Sequence, residues 1–191
     1  FFATVEIAVV WSLLQIIDNP RQDVPLISVL RSPLFGFTPD RLAAIRALQK
    51  DGDYYDALLL DDSADTQDFL RTLESLRAAA RDETVDVLLW RIYNTCRCEA
   101  VFGAMPGGQA RKDNLTAFYT YARQMAGAGK KSLFDFTAHL RTLLENGDAP
   151  DLSTRQSAGG VRIMSIHKSK GLEFPVVIVA GCAGQFNEID L

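Results

Sequence analysis

Val161-Arg162-Ile163-Met164-Ser165-Ile166, then His167-Lys168-Ser169-Lys170-Gly171-Leu172-Glu173, then Pro175-Val176-Val177-Ile178-Val179-Ala180-Gly181 form the stretch on which the reading of this chain turns. The first six residues alternate in the manner of a strand. The last seven are a near-continuous β-branched run, the composition of a strand buried on both faces of a parallel sheet. The seven between them are too polar for a core and too few for an ordinary crossover helix. Strand, polar turn of helix and strand together predict a fragment of an α/β domain.

The polar hinge leaves the C-terminal end of a strand, where open α/β sheets place ligand sites. It offers an imidazole, two ammonium groups, a hydroxyl, a glycine and a carboxylate. Lysines and hydroxyls suit phosphate oxygens, and Gly171 permits close backbone approach. A carboxylate accepts hydrogen bonds from a ribose hydroxyl. These are the parts of a nucleotide site or of a nucleic-acid backbone contact. Spacing alone does not choose between them, and a solvated loop joining two strands has the same composition.

Upstream the pattern is helical. Ile7, Val10, Trp11, Leu14 and Ile17 fall at helical spacing, stopped by Asp18-Asn19-Pro20. A short apolar helix follows over Leu26 to Leu30. Thr38-Pro39 reads as an N-cap with proline at the first helical position, opening a helix through Leu42, Ile45 and Leu48. The acidic patch from Asp61 to Asp68 reads as a solvated loop and helix start. Further stripes run through Phe69, Leu73, Leu76 and Ala80, then Val85, Leu88, Leu89 and Ile92, then Leu115, Phe118, Tyr119 and Ala122. Met105-Pro106-Gly107-Gly108 breaks the chain before the last of these. Ser132 with Asp135 resembles a capping box ahead of Leu133, Phe136, Leu140 and Leu143. The residues before Val161 are rich in Gly, Ser, Asp and Pro and read as a linker.

The whole chain has 191 residues, of which 48% are hydrophobic and eleven are Phe, which predicts a folded body. Its net charge of −4 weighs against a free-standing nucleic-acid binder, without excluding a local basic groove. No apolar run is long enough for a bilayer and no signal peptide is evident, so a cytoplasmic location is expected. Cys96, Cys98 and Cys182 have no Cys-x-x-Cys spacing, and His139 and His167 are the only histidines. Free thiols and no metal site are therefore expected.

The segment from Val161 to Val177 resembles helicase motif V of the UvrD/Rep-type DNA helicase family, T-x-H-x-[SA]-K-G-L-E-[FW], with Ser165 in place of the usual Thr. Gly181 followed by Gln185-Phe186-Asn187 and Asp190-Leu191 is similar to the AddA-type branch of that family, found in helicase-nucleases. So are Ile17-Asp18-Asn19-Pro20, Val29-Leu30-Arg31-Ser32-Pro33 and Met105-Pro106-Gly107-Gly108. Phe1-Phe2 with Glu6-Ile7 resembles the family's F-F-x-x-x-E-I segment.

The resemblance implies a mainly α chain: an irregular helical domain of the 2B type joined to part of a RecA-like α/β domain, 2A. Residues 1–20 would be an edge of 2A, 21–148 the 2B-like insert, 149–160 the linker, and 161–191 the 2A strands carrying motif V. It implies DNA contacts at Ser165 and His167, with Lys170 near the ATP phosphates, Gly171 giving backbone clearance and Glu173 near the ribose. The implied partners are DNA, both single-stranded track and duplex ends, and an AddB-like protein, with no membrane. ATP and Mg²⁺ belong to a longer parent protein, an ATP-dependent helicase with exonuclease activity that processes DNA ends for recombinational repair. The chain holds no G-x-x-x-x-G-K-[ST] loop, no Walker B strand and no arginine-bearing motif VI. It is therefore expected to have no catalytic residue and no activity alone. The alternatives are a helicase without a nuclease and a non-catalytic helical interaction module.

Overall fold

A computed structural model of the chain describes residues 1–148, 150, 152, 164–169 and 176–180. The chain divides into two units, Phe1–Thr154 and Arg155–Leu191. Among the described residues the protein is mainly helical.

The first unit is built from α1 (Val5–Asp18), α2 (Asp23–Arg31), α3 (Pro39–Leu48), α4 (Tyr54–Leu59), α5 (Ala64–Ala79), α6 (Val85–Thr95), α7 (Cys98–Gly103), α8 (Gly108–Gly127) and α9 (Leu133–Glu145). Helix α1 lies at its centre, packed against α2, α5, α8 and α9. A helix surrounded in this way must be apolar on nearly every side. Accordingly Val9, Leu13 and Ile16 are buried as well as Ile7, Val10, Leu14 and Ile17. Trp11, which the spacing places on the inward stripe, is only half-buried. A second centre forms around Phe118, whose ring lies 6.0 Å from both Phe2 and Phe136.

Side-chain caps fix the starts of α3 and α9. The Thr38 hydroxyl accepts the Arg41 amide at 3.2 Å, ahead of Pro39 in the first turn. The Ser132 hydroxyl accepts the Asp135 amide at 3.1 Å and donates to its carboxylate at 2.7 Å. Helices α4 and α7 make no such side-chain cap. Each has six residues, below the length at which a helix persists unaided, and each is held by packing. The inward stripe of α8 also differs from the expected one. Tyr121 is buried, whereas Tyr119 is half-buried and turns toward α6.

The break at Met105-Pro106-Gly107-Gly108 has a steric origin. Gly107 has φ +74°, a left-handed conformation that disfavours other residues, and a Cβ at Gly108 would overlap the carbonyl of Gly103. Gly108→Ala should therefore cost about 1–3 kcal/mol, read as a lower urea midpoint, because the α7–α8 turn has to open. An unchanged midpoint would show that the turn opens at no cost.

The acidic patch is not a solvated loop throughout. Asp61 is buried and pairs with Arg41, which also reaches Asp65 at 3.2 Å. Hydrogen bonds from Arg41 and Ser63 hold the Asp65 carboxyl down at about 2. The patch thus fastens the start of α5 to α3.

In the second unit, Ile166–Ser169 forms one turn of helix, α10. This is the polar turn expected between the strands. The strands themselves are not found among the described residues. Met164 and Ser165 have no regular structure, and Ile166 opens the helical turn instead of ending a strand. Val176 to Ala180 has no regular structure either, with Val176 to Val179 between 57% and 86% exposed rather than buried. Strand propensity expresses packing against cross-strand neighbours, and no strand flanks this run among the described residues. The remainder of the two expected strands, 161–163, 175 and 181, lies outside those residues.

Candidate functional site

The turn of α10 gathers part of the expected site. Ser165 precedes the helix, and its carbonyl accepts the Ser169 amide at 3.2 Å. The Ser169 hydroxyl donates to the Ile166 carbonyl at 2.7 Å, which closes the turn. Ser165 and His167 are both exposed. The structure therefore presents a hydroxyl-bearing residue and an imidazole on one short, accessible turn. Lys170, Gly171 and Glu173 lie outside the described residues. The turn carries hydroxyls and an imidazole but no carboxylate. That donor set fits an anionic oxygen and does not fit a divalent cation.

A polar cluster in the first unit joins Glu6 of the F-F-x-x-x-E-I segment to Arg111 and Asn114 of α8. Glu6, at the start of α1, is 1% exposed. Its carboxylate accepts from the Asn114 amide at 2.7 Å and from the Arg111 guanidinium. Burial pushes this carboxyl up, yet hydrogen bonds, from Asn114 first, then from its own backbone amide, with a smaller part from Arg111, outweigh it and hold the group below the usual carboxylate range. Arg111 also donates to the Pro106 carbonyl at 3.1 Å. One guanidinium thus ties the start of α1 to the turn before α8. An acid in the first turn of a helix ordinarily favours the exposed dipole end, so its helix position does not mark Glu6 as interior. The one hint is a carboxylate beside Ile7, Val9 and Val10.

Cys96 and Cys98 are free thiols. Burial pushes the Cys96 thiol up to about 11 and Cys98 further still, so both are unreactive near neutral pH. Cys182 lies outside the described residues. His139 is half-buried on α9. Among the described residues no group of three or more His, Cys, Asp or Glu is placed to hold a metal ion.

A helical body followed by an exposed polar turn, with the motif V pattern running through that turn, defines a helicase-type segment. The family model for the UvrD-like helicase C-terminal domain matches residues 1–187, and the chain belongs to that family. Over its whole length it is similar to AddA proteins, the A component of the ATP-dependent helicase/nuclease. It is 46% identical to that of Acetivibrio thermocellus, 44% to that of Desulforamulus reducens and 41% to that of Geobacillus kaustophilus. It spans 16% of the length of each of these relatives.

Proposed function

We propose that the chain is a segment of an AddA-type ATP-dependent helicase/nuclease, the part that couples nucleotide state to movement along single-stranded DNA during the processing of double-strand ends. The observation that carries this is the similarity to such proteins along the entire chain, including the segment from Val161 to Val177. That the relatives are helicase/nucleases favours this reading over a helicase lacking a nuclease. In this reading residues 1–20 and 161–191 belong to 2A and residues 21–148 to the 2B-like insert, with 149–160 between them. Ser165 contacts a DNA phosphate, and His167 contacts DNA or relays its presence toward the nucleotide. Lys170 and Glu173 approach the phosphates and ribose of ATP, and Gly171 gives the backbone room.

ATP supplies the driving reaction in the whole protein, where Mg²⁺ is held by residues other than the α10 turn. The chain alone, without a phosphate loop, hydrolyses nothing. Its partners are DNA and an AddB-like protein. No helix among the described residues is long and apolar enough to cross a membrane.

The test uses the whole protein. Ser165→Ala and His167→Ala should each raise the DNA concentration that half-maximally stimulates ATP hydrolysis, by about fivefold or more for the loss of a phosphate contact. Wild-type midpoints in both variants would remove the turn from the DNA track.

A further inference from the structure

The linker after α9 holds a single large apolar side chain. Residues 149–160 are otherwise alanine, glycine, proline and polar residues, and Leu152 stands alone among them. A tether that only spans distance gains nothing from a leucine, because polar and small residues already set its stiffness and reach. The structure gives that leucine a place. Leu152 is half-buried and packs against the core of the first unit, to which it belongs.

The end of α9 prepares this contact. The Gly147 amide donates to the Leu144 carbonyl at 3.3 Å, and the Asp148 amide donates to the Leu143 carbonyl at 2.9 Å. These two bonds, with Gly147 at φ +77°, form the left-handed stop that ends a helix and turns the chain aside. Pro150, beyond the turn, has a fixed φ and is half-buried as well. Leu152 then lies beside Thr116, Ala117, Thr120, Tyr121 and Gln124, which share one face of α8. That face is less polar than its residue types suggest. The Thr116 and Thr120 hydroxyls donate to carbonyls one turn back, at 3.0 and 2.9 Å. Both donors are satisfied within α8, so an apolar side chain lies over them at little cost. Tyr121 is buried behind them with its ring 6.0 Å from that of Phe136 on α9, which gives the face a fixed aromatic floor.

We infer that Leu152 is a clasp: docked on this face of α8, it fastens the start of the linker to the helical body. Only residues 153–160 are then free tether before the segment that carries Ser165 and His167. Release of Leu152 returns residues 149–152 to the tether. A leucine covered on one side favours the docked state by roughly fivefold. That keeps the clasp mostly shut and still lets it open. The inference concerns the body and its linker alone, and it stands whether or not the protein handles DNA.

Trypsin reads the clasp directly. For a cut after Arg155, the residues just before it must enter the protease as an extended strand, which a docked Leu152 opposes. Cleavage there therefore follows the released fraction. In the whole protein, digested briefly and followed by mass spectrometry, Leu152→Asp should speed cleavage after Arg155 about fivefold. Leu152→Met keeps the apolar contact and should be cut at the wild-type rate. Thr120→Asp, which puts a charge on the α8 side, should act like Leu152→Asp. The two Asp substitutions together should add little to either alone, because both remove the same contact. Cleavage after Arg141, within α9, should stay at its wild-type level throughout. Unchanged cleavage after Arg155 in both Asp variants would overturn the clasp. So would a matching rise after Arg141, which would make Leu152 a support of the helical body, or effects of the two variants that multiply, which would put them at separate sites.

Discussion

In the proposed roles, alanine at Lys170 or Glu173 should lower DNA-stimulated ATP hydrolysis by the whole protein about tenfold or more, because each would remove a charged contact to the nucleotide. The two losses should differ in kind. An ammonium near the transferring phosphate acts where charge is redistributed in the transition state, so Lys170→Ala should fall mainly on kcat. A carboxylate on the ribose binds ground and transition states alike, so Glu173→Ala should fall mainly on the KM for ATP. Steady-state ATPase measured across ATP concentrations separates them. Wild-type kinetics in both variants would mean that the hinge between Ile166 and Phe174 is structural and takes no part in coupling.

The second large effect concerns the buried carboxylate. In Arg111→Met, Glu6 keeps Asn114 but loses its cation while remaining inaccessible to water. Breaking a buried pair from one side costs about 3 kcal/mol, which a urea titration near pH 7 would read directly. The pH dependence should become shallower as well. In the wild-type chain the folded Glu6 titrates below its unfolded value. Its contribution is therefore present above the ordinary carboxylate range and lost as pH falls through the folded value. Without Arg111, the hydrogen bonds from Asn114 and from the backbone amide of Glu6 remain, and the folded value moves up toward the unfolded one. The variant should then lose less of its remaining stability than the wild-type chain as the pH falls through the carboxylate range. A Glu6→Leu/Arg111→Met double variant, which removes both charges, should recover much of the loss. A single Arg111→Met variant as stable as wild type would show that Asn114 alone suffices.

Short-range physics was legible in this chain, and so was one long motif. The cap at Thr38, the Ser132–Asp135 box and the break at Gly107-Gly108 each depend on a few neighbouring residues, and each took the form the residues required. The helical character of the body followed from apolar spacing. The polar turn after Ser165 followed from seven hydrophilic residues between apolar runs. The two strands did not follow in the same way. A β-branched run states a preference for a pleated, covered environment, and that preference becomes a strand only beside another strand.

What the sequence determined by itself is the family of the chain and the chemistry its hinge can offer, because a motif is a fixed order of side chains and needs no fold to be recognised. Tertiary structure alone decided that α1 is wrapped on most of its sides, that Glu6 is interior and paired to a guanidinium more than a hundred positions away, and that Tyr119 leaves the core to meet Trp90. Each of these depends on which helices become neighbours. Burial and pairing at that distance are properties of packing, and no local pattern of residues encodes them.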